Sequence, residues 1–106
     1  MGVWGTKPWE NDTAADFCCD LGKIPVTELI DKGLNSDDED EQRIAAWLLS
    51  RLAVYYVYPY ETQEKQVKRA IRKLNDMLKS DWIEAWNNPN EVIGLIRHEV
   101  IALEEV

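Results

Sequence analysis

Apolar residues along this chain recur at spacings of three and four, and no segment alternates apolar and polar positions over the length of a strand. Ala14, Phe17, Cys18 and Leu21 predict a first helix, capped by Asn11 or Asp12 and ended by Gly22. Pro25 opens a short second helix with Val26, Leu29 and Ile30 on its apolar side, and Gly33 is read as its stop. Ser36-Asp-Asp-Glu39 has the form of a capping box, and the acidic run 37–41 then falls in a first helical turn, where carboxylates complement the positive end of the helix dipole.

From 44 to 58 the chain is apolar nearly all round, with Trp47, Leu48, Leu52 and Tyr55 among its members. A helix of that kind must be surrounded by others, so this segment is predicted to be central, with Pro59 ending it. The YYVYPY stretch continues the helical run. Thr62 is expected to open the next helix, with Val67, Ala70, Ile71, Leu74 and Leu78 on one stripe and Lys65, Lys68, Arg69, Arg72 and Lys73 on the opposite side. Asp81 and Glu84 begin a short segment carrying Trp82 and Trp86. Asn88-Pro89-Asn90-Glu91 reads as cap, first-turn proline and capping glutamate of a last helix that turns Val92, Leu95, Ile96 and Leu103 inward. The expectation is one all-α domain over 1–106: a Trp-rich lead-in at 1–10, then a compact bundle of five or six helices.

Composition narrows the function classes. The 106 residues are 45% hydrophobic and 30% charged, with a formal net charge of -8. That suits a folded globular chain and argues against nucleic acid or an anionic membrane as partner, because the net field repels phosphate. The longest apolar run is interrupted by Ser50 and Arg51 and is too short to span a bilayer. Neighbouring Cys18 and Cys19 suit neither a structural disulfide nor a zinc pair, and free thiols fit a reducing cytoplasm. No signal peptide is visible. MGVWGT matches a short myristoylation pattern, but no polybasic second signal follows, and Gly2 is read as a turn residue.

Charge is also segregated. Residues 62–79 carry six bases and two acids, whereas 1–46 carry eleven acids and four bases. The basic face Lys65, Lys68, Arg69, Arg72 and Lys73 therefore sits within an acidic protein, either solvated or facing an acidic surface of this chain, a second copy or a partner. Asp12, Asp16 and Asp20 repeat every four residues, which on a helix places them on one side. With Glu10, the pair Asp12 and Asp16 forms a weak oxygen-ligand candidate for Mg²⁺ or Ca²⁺, without the glycine-bearing loop of an EF-hand; a solvated acidic face is the plainer reading. His98 has no catalytic signature around it, and there is no P-loop or dinucleotide fingerprint. No catalytic residue and no cofactor is assigned. Trp4 and Trp9 either pack on the bundle, fixing how the chain enters its first helix, or leave a ring exposed as an interface anchor.

The opening MGVWGTKPWENDTAADF resembles the N-terminal signature of a bacterial domain-of-unknown-function family, DUF4259, whose members begin much like M-G-x-W-G-x-x-P-(aromatic)-(acidic)-N-D-x-A-x-D-(aromatic). Met1, Gly2, Trp4, Gly5, Pro8, Trp9, Glu10, Asn11, Asp12, Asp16 and Phe17 match; Lys7 stands where a glycine is often found, and the fit is loose at Ala14 and Ala15. The C-terminal SDWIEAWNNPNEVIGLIRHEVIAL is similar to the family's ending. The resemblance implies a small helical protein without an established activity, and so carries no site residue over. Compactness and acidity are similar to those of bacterial immunity proteins, an analogy only.

These readings converge on a non-enzymatic binding protein of the bacterial cytoplasm, an immunity-like inhibitor or related module. It would cover a basic partner with acidic surface from Asp12, Asp16, Asp20, Asp37, Asp38 and Asp40. The alternatives are a small metal-dependent hydrolase using Glu10, Asp12 and Asp16, and a structural module that self-associates through the basic helix.

Overall fold

The computed structural model describes residues 5–53 and 60–106. Within them lie six helices and no strand: α1 (Asp12–Cys18), α2 (Val26–Leu34), α3 (Glu39–Ala53), α4 (Tyr60–Leu78), α5 (Asp81–Glu84) and α6 (Pro89–Glu104). The fold is an all-α bundle. Residues 1–4, with Trp4 and Gly2, lie outside the described residues, as do 54–59, with Tyr55 and Pro59.

α3 is the central element, packed against α1, α2, α4 and α6. Its buried positions Arg43, Ile44, Ala45, Ala46, Leu49, Ser50 and Ala53 cover most of its circumference, as an all-round apolar pattern requires. Around it Phe17 of α1, Leu29, Ile30 and Leu34 of α2, Ala70, Leu74 and Met77 of α4, and Val92, Ile96 and Leu103 of α6 form one continuous core. Ile83 of α5 joins it, and beside α5 the rings of Trp82 and Trp86 meet edge-on at 5.6 Å.

Several helix ends differ from the sequence expectation, each for a physical reason. α1 stops at Cys18, short of Leu21, which is exposed in the turns that follow; Gly22 there takes φ +120°, a left-handed conformation suited to glycine. Asp20 therefore leaves the helical face shared by Asp12 and Asp16, and lies 3.9 Å from the ammonium groups of both Lys23 and Lys32. Asp38, not Ser36, caps α3: its Oδ1 accepts from the backbone N–H of Asp40 at 2.8 Å and of Glu41 at 3.4 Å. Ser36 instead takes up the Asp38 N–H with its hydroxyl, and its carbonyl accepts from the Gln42 amide. α4 starts at Tyr60, two residues before Thr62.

Gly33 does not stop α2 but lies inside it, buried at a helix crossing. A Cβ there would come within 2.6 Å of the Ala45 Cβ and 2.8 Å of the Phe17 ring. Glycine is the residue that lets α2 approach α3 and α1 this closely. The Ala45 Cβ is fixed to the α3 backbone and cannot rotate away, so Gly33→Ala should cost about 1–3 kcal/mol by overpacking, outweighing the gain of about 1 kcal/mol in helix propensity. Gly94 of α6 has nothing within 4 Å of a built Cβ. Gly94→Ala should therefore stabilise by roughly 0.5–1 kcal/mol. Urea denaturation of the two variants should move the midpoint in opposite directions.

Candidate functional site

The lead-in lies along α6 and is tied down at several points. The Thr6 hydroxyl donates to Glu91 Oε2 at 2.5 Å, and the Asn88 amide donates to Glu91 Oε1 at 3.1 Å, so the expected capping glutamate instead joins the lead-in to the start of α6. Lys7 and Glu10 close a turn through their backbones, and the Glu10 carboxylate accepts from the Lys7 N–H at 3.1 Å. Asn11 is buried and works in two directions: its Oδ1 accepts from the Ala14 N–H at 2.7 Å as the cap of α1, while its Nδ2 donates to the Pro8 carbonyl at 3.3 Å.

This path sets Trp9 against Trp47 of α3, ring centroids 4.9 Å apart and planes at 49°. Trp9 is 42% exposed, so it packs on the bundle and presents a face to solvent at once. The two rings form one wall of a groove of about 490 Å³ whose opposite side is the face of α6 bearing Leu95, His98 and Ala102. Ser50 and Arg51 extend the α3 side, and Lys7 and Pro8 the lead-in side. The Lys7 ammonium and the Arg51 guanidinium each stand 5.6 Å from a ring centroid, over Trp9 and Trp47 respectively.

Beneath the groove lies a buried ion pair. Arg43, 2% exposed, donates from Nε to Glu99 Oε1 at 3.0 Å and from the terminal nitrogen to Oε2 at 2.7 Å, a two-point clasp between α3 and α6. Glu99 is 11% exposed and also borders the groove. Burial pushes its carboxyl above the ordinary value of 4.5, and the Arg43 hydrogen bond and charge oppose that rise. Asp40 is likewise raised, first by burial and then by Asp38, with Arg43 opposing and Glu39 adding to the rise. Cys18 is raised by burial and by its neighbour Cys19, which favours the unreactive thiol.

The sequence-derived candidates are dispersed. Asp12 and Asp16 are exposed on α1, Asp37 is exposed ahead of α3, and Asp38 is the α3 cap. Glu10 is engaged with Lys7, and among the described residues no three Asp, Glu, His or Cys side chains converge in a way that could hold a metal ion. The basic face is partly spent within the chain: Arg69 meets Asp31 at 2.6 Å and Lys68 meets Glu64 at 3.6 Å. Lys65 and Arg72 are exposed, and Lys73 is half-buried and shares a depression with Glu39 and Asp76. His98 is exposed on α6.

The sequence reading missed the Arg43–Glu99 pair and the groove. The signal for the pair is spacing: Arg43 stands three residues before Ala46, and Glu99 stands between Ile96 and Leu103, both in positions that belong to buried stripes.

No family model, curated protein or solved structure matches the chain. Among the described residues no helix is long and apolar enough to cross a membrane.

Removing one member of a buried pair strands the other charge, which typically costs about 3–5 kcal/mol. Glu99→Ala should reach that range in urea denaturation, whereas Arg43→Met combined with Glu99→Leu should recover most of the loss. A second expectation concerns pH. Because the folded-state pKa of Glu99 is raised, its stabilising contribution is complete below 4.5 and declines as pH rises through the raised value. A carbon-13 NMR titration should find the Glu99 carboxyl midpoint above 4.5; a midpoint at or below it would show that the Arg43 clasp outweighs burial.

Proposed function

We propose that this protein belongs to the DUF4259 family and is a non-enzymatic protein-binding module of the bacterial cytoplasm, an immunity-like inhibitor that covers a basic partner with acidic surface. One observation supports the reading: five of the 12 Lys and Arg residues are drawn into ion pairs, and of the sequence-predicted acids those pairs engage Asp20 alone. Lys23 and Lys32 flank Asp20, Lys68 meets Glu64, Arg69 meets Asp31, and Arg43 holds Glu99. No described Lys or Arg lies within 4.0 Å of the carboxylates of Asp12, Asp16, Asp37, Asp38 or Asp40. Part of the chain's excess of acids is thus displayed unpaired at the starts of α1 and α3.

Exposed carboxylates on helices already ordered by the core cost little to hold in place, and such fields speed encounter with a partner of opposite sign. Asp20 and Asp40 contribute less: one is shared between two lysines, and the other is half-buried, which raises its pKa and takes part of its carboxylate out of solvent.

The test is capture from a bacterial lysate by the immobilised protein and by a variant with Asp12→Asn, Asp16→Asn and Asp37→Asn, which spares the Asp38 cap. The expected outcome is one strongly basic protein retained by the wild type at low salt, released at high salt, and not retained by the variant. Capture that is indifferent to salt and to the substitutions would overturn the acidic-surface mechanism.

A further inference from the structure

The acidic-surface reading makes no use of the groove between the lead-in, α3 and α6. We infer that this groove is a binding site for a small aromatic carboxylate, an occupant independent of the basic partner proposed above.

At about 490 Å³ the groove falls in the range of roughly 300–1,000 Å³ typical of sites that bury small molecules. Its wall is the tilted pair Trp9 and Trp47, and the facing α6 surface is cut back at Ala102, an exposed position where a longer side chain would fill the space. Tryptophan faces favour flat aromatic bodies, by offset or edge-on contact.

Charge selects the second half of the ligand. In the Arg43–Glu99 pair each charge answers the other, so the floor is neutral. Apart from Glu99, the Lys, Arg, Asp and Glu side chains in the lining are Lys7 and Arg51 against Glu105, with Val106 at the groove's edge. Neither Lys7 nor Arg51 has a carboxylate within 4.0 Å among the described residues. In a chain of net charge -8, the groove is a place where unpaired cations gather beside aromatic rings. Arg51 offers the planar donor fork that a carboxylate accepts at two points. The helical lining starts at Trp47 of α3 and Leu95 of α6, well past the first turn of either helix, so neither helix N-terminus is present to hold a polyphosphate. A monoanion met by side-chain cations, with its ring against the tryptophans, is the class that fits.

Titration calorimetry with 2-naphthoate and with uncharged 2-naphthalenemethanol tests this on the intact chain. Saturable binding of the naphthoate is expected, with the alcohol weaker by about tenfold, the order of one charge-assisted hydrogen bond. Arg51→Gln should erase that preference. Ala102→Leu should abolish binding of both while leaving the circular dichroism spectrum and Tm unchanged, since position 102 is exposed. No saturable heat with naphthoate, equal binding of acid and alcohol, or unchanged binding to the Ala102→Leu variant would each overturn the inference. So would tighter binding of a tetrapeptide with a free C-terminal Phe, or a dimer that Ala102→Leu dissociates, since either gives the groove to a protein. The aspartate substitutions that test the acidic surface lie outside the groove, so the two proposals fail separately.

Discussion

The Arg43–Glu99 clasp is the constraint on which the arrangement of this bundle turns. Apolar contacts between α3 and α6 tolerate small rotations, because one methyl group can replace another against a smooth surface. A guanidinium that is 2% exposed tolerates none: it must meet its carboxylate at both nitrogens, or a charge is stranded in the interior. With Glu99 fixed, Ile96 and Leu103 are carried into the core, while Leu95, His98 and Ala102 are turned toward the lead-in. With Arg43 fixed, Trp47 one turn further along α3 faces the same space. The ion pair thus sets the rotation of both helices whose outer edges make the groove.

The lead-in is held by a complementary device. Its apolar anchors, buried Pro8 and partly exposed Trp9, cannot by themselves define a path for so short a segment. Polar bonds at either end supply the definition, from Thr6 to Glu91 and from Asn11 to both Pro8 and Ala14. Asn11 is the economical part of this design, because one amide caps α1 and fastens the chain that enters it. Substituting it would loosen two junctions together, whereas the expected alternative cap, Asp12, is exposed within the first turn and stays available for outward interactions.

Much of the fold was legible because helix formation and burial obey one period. The apolar spacing located five of the six described helices, with α5 marked only as a short segment by Asp81 and Glu84, and it gave the central position of α3 and most core residues, including Leu29, Leu74, Val92 and Ile96. Helix ends were less legible, since Gly33 has two meanings in a sequence. It can release a helix end or admit a neighbouring helix, and only the presence of Ala45 and Phe17 decides between them. Ser36 and Asp38 are both competent caps, but the Ser36 hydroxyl accepts from the Asp38 N–H, and Asp38 Oδ1 is the oxygen that meets the first-turn N–H groups. The groove was illegible for a different reason. It joins residues near 8, 50 and 100, and Trp47 and Ala102 read singly as ordinary helical positions.

The distribution of charge follows from the same economy. A chain with 20 acids and 12 bases cannot pair every carboxylate, so the placement of its cations determines where negative charge is left. Arg43 is committed to the interior, Arg69 fastens α4 to α2, and Lys23 and Lys32 share Asp20 in the turns beyond α1. That leaves unpaired carboxylates at the starts of α1 and α3, unpaired Lys65 and Arg72 on α4, and Lys7 and Arg51 as unpaired cations beside indole rings. The exposed ion pairs contribute little to stability in water, on the order of 0–1 kcal/mol each, so their greater effect is to partition the surface by sign. A net charge taken alone would describe a uniformly acidic body. The pairing pattern instead leaves unpaired carboxylates at the starts of α1 and α3 and unpaired Lys7 and Arg51 beside the groove, and the buried clasp between α3 and α6 holds the groove's two helix faces in register.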